Sequence, residues 1–202
     1  MTISPHILFL PGIWSPAFFL HSLAKEMTCR GYRASFVSYN SVLEPPCKVM
    51  ERVYQHISKH PGCHIVGHSM GGVLAVNMLK SYPDIETGHV VCLGSPLQGS
   101  KVAKTLAQFK PGKVYLGQSG GWLTKPHSVE GGKVGVIAGN HPRGLGKFFT
   151  QLDGEHDGTV EVQETYTKGL EDHVTILASH TGLLWHRQSS SLIDGFLKRG
   201  KF

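Results

Sequence analysis

Short, continuous apolar runs alternate along this chain with stretches of helical period, and that alternation constrains the fold more than any other feature. His6 to Leu10, Ala34 to Tyr39, Cys63-His64-Ile65-Val66, Val90 to Leu93, Val134 to Ala138 and Val174 to Ala178 read as strands. Between them, Ser15-Pro16 suits a helix start at about Ala17, with Phe18, Phe19, Leu23 and Met27 along one stripe and Gly31 as the stop. Pro45-Pro46 opens a second helix carrying Val49, Val53 and Ile57, and Pro61-Gly62 ends it. Val73 to Leu79 and Ser189 to Lys198 supply two more. Strands that are apolar on both sides need cover on both faces. The expectation is therefore an α/β fold with a mostly parallel central sheet between two helical layers.

With 202 residues, 40% of them hydrophobic and 17% charged, the chain can bury one sizeable core, so one domain spanning residues 1–202 is expected. Pro96 to Gly132 holds one helix candidate, Lys101 to Phe109, and then a glycine-rich run, which reads as a small lid-like excursion over a site. Every apolar run falls far short of the ~20 residues of a membrane-spanning helix. The amino terminus lacks a basic region and runs straight into a strand, so no signal peptide is expected and a cytoplasmic location is the default.

Cys29, Cys47, Cys63 and Cys92 form no CxxC pair and read as reduced, the last two as small buried hydrophobes. The formal charge of +6 comes from scattered Lys and Arg without aromatic interleaving, which argues against a nucleic-acid partner. The thirteen histidines include no HExxH, and His64 and His68 fall on a strand and its turn, so no metal or other cofactor is expected.

Gly67-His68-Ser69-Met70-Gly71 fits GxSxG in the context that gives the pattern chemical meaning: a strand runs into it and an apolar helix leaves Gly72. Such a turn thrusts a hydroxyl out at the end of the sheet. The following helix points its amino-terminal amides at the place where a tetrahedral oxyanion would form. Ser69 is the candidate nucleophile. A serine hydroxyl needs a base, and His180 follows the last strand directly, in a loop at the same sheet edge. His173 precedes that strand, and His186 falls in the last helix. The acid belongs between serine and base, where Asp157 is preferred to Asp153, with Asp172 third.

The order Ser69, Asp157, His180 on alternating strands and helices resembles the α/β-hydrolase family, in particular its small bacterial lipases and esterases. Asp157-Gly158-Thr159-Val160 is similar to that family's acid loop, His180-Thr181-Gly182-Leu183-Leu184 to its histidine loop, and Gly94-Ser95-Pro96 with Gly99-Ser100 to its GTPxxGS stretch. The resemblance covers nearly the whole chain. It implies an oxyanion hole made by the backbone N–H groups of Met70 and Ile13. Leu10-Pro11-Gly12-Ile13-Trp14 departs from the family's His-Gly, which leaves Trp14 as the other donor candidate; its side chain reads as an apolar wall for substrate.

Residues 153–164 also nearly fit a calcium-binding EF-hand loop, with Asp153, Glu155, Asp157 and a closing Glu164, although Thr165-Tyr166-Thr167-Lys168-Gly169 is a poor following helix. The expected activity is cleavage of carboxylic esters of short to medium acyl chains through an acyl-enzyme, on a small-molecule or lipid substrate. A thioesterase, an acyltransferase or a non-catalytic binding protein on the same fold are the alternatives.

Overall fold

The computed structural model describes residues 4–129, 131, 133–144 and 146–202. Met1, Thr2 and Ile3 of the amino-terminal reading and Gly132 of the glycine-rich run lie outside the described residues. The strands are β1 (His6–Leu10), β2 (Arg33–Phe36), β3 (Cys63–His68), β4 (Thr87–Leu93), β5 (Val134–Gly139) and β6 (Asp172–Ile176). All pair in parallel, in the order β2-β1-β3-β4-β5-β6. The helices are α1 (His21–Cys29), α2 (Pro46–Ser58), α3 (Met70–Ser81), α4 (Lys101–Leu106), α5 (Lys110–Leu116), α6 (Gly120–Leu123), α7 (Val162–Thr165) and α8 (Arg187–Arg199).

The strand sequences explain the two layers. Successive strand side chains point to opposite faces. Leu8, Leu10, Ile65, Val90, Cys92 and Val136 therefore meet the apolar stripes of α2 and α3 on one face. Ile7, Phe9, Val66, Val91, Leu93 and Ile137 meet α1 and α8 on the other. The sheet order reverses between β1 and β3, which opens a crevice at the carboxyl ends of those strands.

Element boundaries differ from the sequence expectation where a pairing partner runs out. β2 stops at Phe36 rather than Tyr39, because it pairs only with β1 and Phe36 faces Phe9, next to the end of that strand. β6 starts two positions earlier, at Asp172, and ends at Ile176, since its register follows β5 from Gly135 to Gly139. Leu177 beyond it is exposed. His173 and Asp172 thus lie within the last strand rather than before it, and His186 caps α8, its Nδ1 accepting the Gln188 N–H at 3.3 Å, rather than lying inside that helix. At the first helix, Ala17–Leu20 forms a tighter 3-10 turn before α1.

The stretch after Pro96 holds three short helices, α4, α5 and α6, where the sequence suggested one. Leu97, Ala103, Leu116, Leu123 and Val129 join the same apolar cluster as α3, so the segment is tied into the core. Cys29, Cys47, Cys63 and Cys92 are all free thiols, the last two buried. Among the described residues no helix is long and apolar enough to cross a membrane.

Phe196 of α8 is fully buried, and at Gly135 a Cβ would come within 2.6 Å of its ring, so the ring occupies space that only a glycine on β5 leaves open. Phe196→Ala is expected to lower the stability to urea by about 3–5 kcal/mol, read from equilibrium unfolding.

Candidate active site

β3 delivers Gly67 and His68 to the crevice, and α3 leaves from Met70, so Ser69 sits at the sharp turn between them with φ 52° and ψ −118°. A positive φ at serine costs about 1–3 kcal/mol and survives only where the surroundings over-determine it. Here the Ser69 N–H donates to the Leu93 carbonyl at 2.8 Å, while its own carbonyl accepts from Gly72 at 3.1 Å. A Cβ on Gly67 would lie 2.5 Å from the backbone of Gly71 and Gly72, and one on Gly71 would overlap the Leu10 carbonyl. The glycines let α3 cross β1 and β3 with backbone against backbone.

His180 lies in the turn after β6, and its N–H donates to the Asp157 carbonyl at 2.9 Å. Its Nδ1 is 2.7 Å from Asp157 Oδ2. Because a carboxylate only accepts, Nδ1 carries the proton and Nε2 keeps the free lone pair. Asp157 is 1% exposed, and its Oδ1 accepts from the amides of Thr159 at 2.9 Å and Val160 at 2.7 Å. Both carboxylate oxygens are thus committed. Gly94, at φ 54°, admits the pair: a Cβ there would be 3.1 Å from both Asp157 Oδ2 and His180 Nδ1.

The other candidates lie elsewhere. Asp153 is exposed and paired with Lys101 at 2.5 Å. Asp172 Oδ2 accepts the Phe202 amide at 2.8 Å, and His173 bonds Thr165 Oγ1 at 2.8 Å, both at β6, away from Ser69. Within the 153–164 loop Asp157 turns to His180, while Asp153 shares Lys101 with Glu161. Glu161 lies 3.5 Å from Lys101 Nζ, and Glu164 serves the amides of Lys101 and Glu161 as the N3 residue of a capping box on α7.

Ser69 and His180 share a cavity of about 490 Å³ with Ile13, Trp14, Leu106, Leu116, Leu123 and Phe149 among its walls. Trp14 also has a positive φ, 54°, and its N–H is already donated to Ser41 Oγ at 3.1 Å. Its indole N–H donates to the Tyr115 carbonyl at 2.9 Å, tying the β1 loop to α5. Met70 is the first residue of α3, where backbone amides have no intrahelical acceptor.

No protein-family model matches the sequence, and no curated protein does. Solved structures do. The chain is similar to the mature Bacillus licheniformis lipase at 19% identity and TM-score 0.67, covering 100% of this chain and 94% of that one. A pyrethroid hydrolase superposes with TM-score 0.66 at 13% identity, over 98% of this chain and 99% of that one. The type II thioesterase of the borrelidin biosynthetic cluster gives 0.63 at 18% identity, over 98% and 93%. This chain has the α/β-hydrolase fold.

In that fold the sequence reading missed His68, which it weighed only as a metal ligand. His68 is 3% exposed; its Nε2–H donates to the His180 carbonyl at 3.0 Å, and its ring centroid lies 4.7 Å from that of His180. It is a positioning residue for the histidine loop. The variable position of GxSxG carries no sequence signal for this role. Burial pushes the His68 imidazole down to about 3 from its ordinary 6.5, and burial likewise pushes His64 and His173 down to about 4.

These rings stay neutral in the folded chain, whereas in the unfolded chain they take up protons below about 6.5. Their contribution to stability is complete above that pH and is lost as pH falls toward 4 and then 3. The urea midpoint is expected to drop steadily between pH 7.5 and 4.5. In His68→Gln, whose amide can still donate to His180 but does not titrate, the drop is expected to be shallower.

Proposed function

We propose that this protein is a serine hydrolase of carboxylic esters. The observation that carries the reading is a single arrangement: Ser69 on a strained strand-to-helix turn shares an apolar cavity with His180, whose Nδ1 is 2.7 Å from the buried Asp157. His180 Nε2 takes the proton from Ser69 as Oγ attacks the ester carbonyl, and passes it to the leaving alcohol. Water, activated by the same nitrogen, then releases the acyl group from Ser69. Asp157 holds the tautomer and stabilises the imidazolium that forms between the steps.

The Met70 and Ile13 amides receive the oxyanion. Ile13 is favoured over Trp14 because the Trp14 amide is already bonded to Ser41. Trp14 walls the substrate instead. The chemistry needs no cofactor. A cavity of about 490 Å³ with mainly aliphatic and aromatic walls has the size of a small-molecule pocket and suits short to medium acyl chains. A thioester is the second reading, favoured by the similarity to a thioesterase, since the same three residues would carry it.

A fluorophosphonate probe is expected to label the wild type at one serine and to leave Ser69→Ala unlabelled. Labelling that persists in Ser69→Ala would remove Ser69 from the role. Asp157→Asn is expected to reduce kcat by roughly 10⁴-fold with little change in KM. Nitrophenyl esters of increasing length, assayed beside acyl-CoA substrates, separate the two readings: turnover of the esters, falling for long chains, supports ester hydrolysis, and turnover of the thioesters alone overturns it.

A further inference from the structure

At the amino-terminal edge of the sheet, opposite the cavity, three histidines turn toward one another. His6 is the first residue of β1, His56 lies in the last turn of α2, and His60 follows two residues beyond that helix. The spacing of four between His56 and His60 brings both rings to one side of the chain. One nitrogen from each of the three lies within 4.8 Å of the others, and among the described residues no other group of three His, Cys, Asp or Glu side chains comes together in this way.

The rings meet edge to face or tilted, with interplanar angles of 69°, 69° and 52° and centroids 4.5–5.7 Å apart. His64 and His89, by contrast, stack in parallel at 3°, with His64 Nδ1 bonded to the His89 amide and His89 Nδ1 to the Leu197 carbonyl. His6 Nδ1 is buried and has no hydrogen-bond partner, the kind of orphaned acceptor or donor that native structures usually satisfy with a water or an ion. Ser35 Oγ, on the neighbouring β2, lies 2.8 Å from His56 Nε2 and can fix that ring. The His60 backbone is held on both sides, its N–H on the Ile57 carbonyl at 2.8 Å and its carbonyl on the Cys63 N–H at 3.0 Å.

We propose that His6, His56 and His60 form a binding site for one divalent transition-metal ion, with zinc the best suited. Three neutral imidazoles are a donor set for borderline ions such as zinc, nickel or copper; calcium and magnesium want oxygen, and no carboxylate belongs to the group. Around a tetrahedral zinc the nitrogens sit about 3.4 Å apart, so the rings close by roughly 1.4 Å at most, within reach of side-chain rotation at partly exposed positions. Arg33 and Lys59 stand nearby as cations and weaken the site without blocking it. The ion would pin the start of β1 to the end of α2. Its role is structural and separate from ester chemistry at the other edge of the sheet.

The test uses the full chain without a polyhistidine tag, stripped with a chelator and titrated calorimetrically with zinc sulfate. One equivalent is expected to bind with a micromolar or tighter Kd, and zinc at about 100 times Kd is expected to raise Tm by several degrees. Calcium chloride should do neither. His56→Ala and His60→Ala should each lose the equivalent, His21→Ala should keep it, and the urea midpoints of the stripped variants report whether they fold. If one fails to fold, His60→Gln replaces it. Absence of binding at 100 times a micromolar Kd, or one equivalent retained in both alanine variants, overturns the site. Binding without a rise in Tm overturns its structural role.

Discussion

The backbone crossing of α3 over β1 and β3 is the contact on which the rest of the molecule depends. Gly67 and Gly71 remove the side chains that would hold the helix off the sheet, and Gly71 sits directly against the Leu10 carbonyl. With helix and strand this close, the chain between them has only the left-handed turn at Ser69, and the amide-to-Leu93 hydrogen bond locks it there. The same crossing aims the first amides of α3 at the crevice where the sheet order reverses. The strain of one residue thus fixes the Ser69 hydroxyl, the first amides of α3 and the helix dipole at once.

A second constraint is the burial of Asp157. A carboxylate at 1% exposure is tolerable only when paired and hydrogen-bonded, and this one has two amides on Oδ1 and the imidazole on Oδ2. His180 is in turn held through its backbone, its amide on the Asp157 carbonyl and its carbonyl on His68. The loop of His180 is therefore clamped between the loop of Asp157 and the residue preceding Ser69. Polar groups that would be costly if unpaired become the means by which three distant segments are brought into one geometry.

The two edges of the parallel sheet are used differently. The carboxyl edge collects long loops and the apolar cavity, over which α4, α5 and α6 are tied down by core contacts and by the Trp14 indole bond to Tyr115. The amino edge carries short turns, where polar residues opening a strand and closing a helix come into contact. His6, His56 and His60 meet there for that reason, from elements far apart in the sequence.

By itself, the sequence determined the layer architecture and the strand-turn-helix setting of Ser69. Strand and helix periods are local properties, as is the run of strand, GxSxG and helix around Ser69, and His180 was legible because it follows an apolar strand directly. Tertiary structure decided where the sheet pairings end, as at Phe36 and Ile176, because a strand lasts only as long as its neighbour. It brought Asp157, and neither Asp153 nor Asp172, against His180, since which carboxylate reaches an imidazole depends on loop paths that no spacing records. It also revealed His68 as the support of the histidine loop and took the Trp14 amide for Ser41, because long-range hydrogen bonds exist only once both partners are in place.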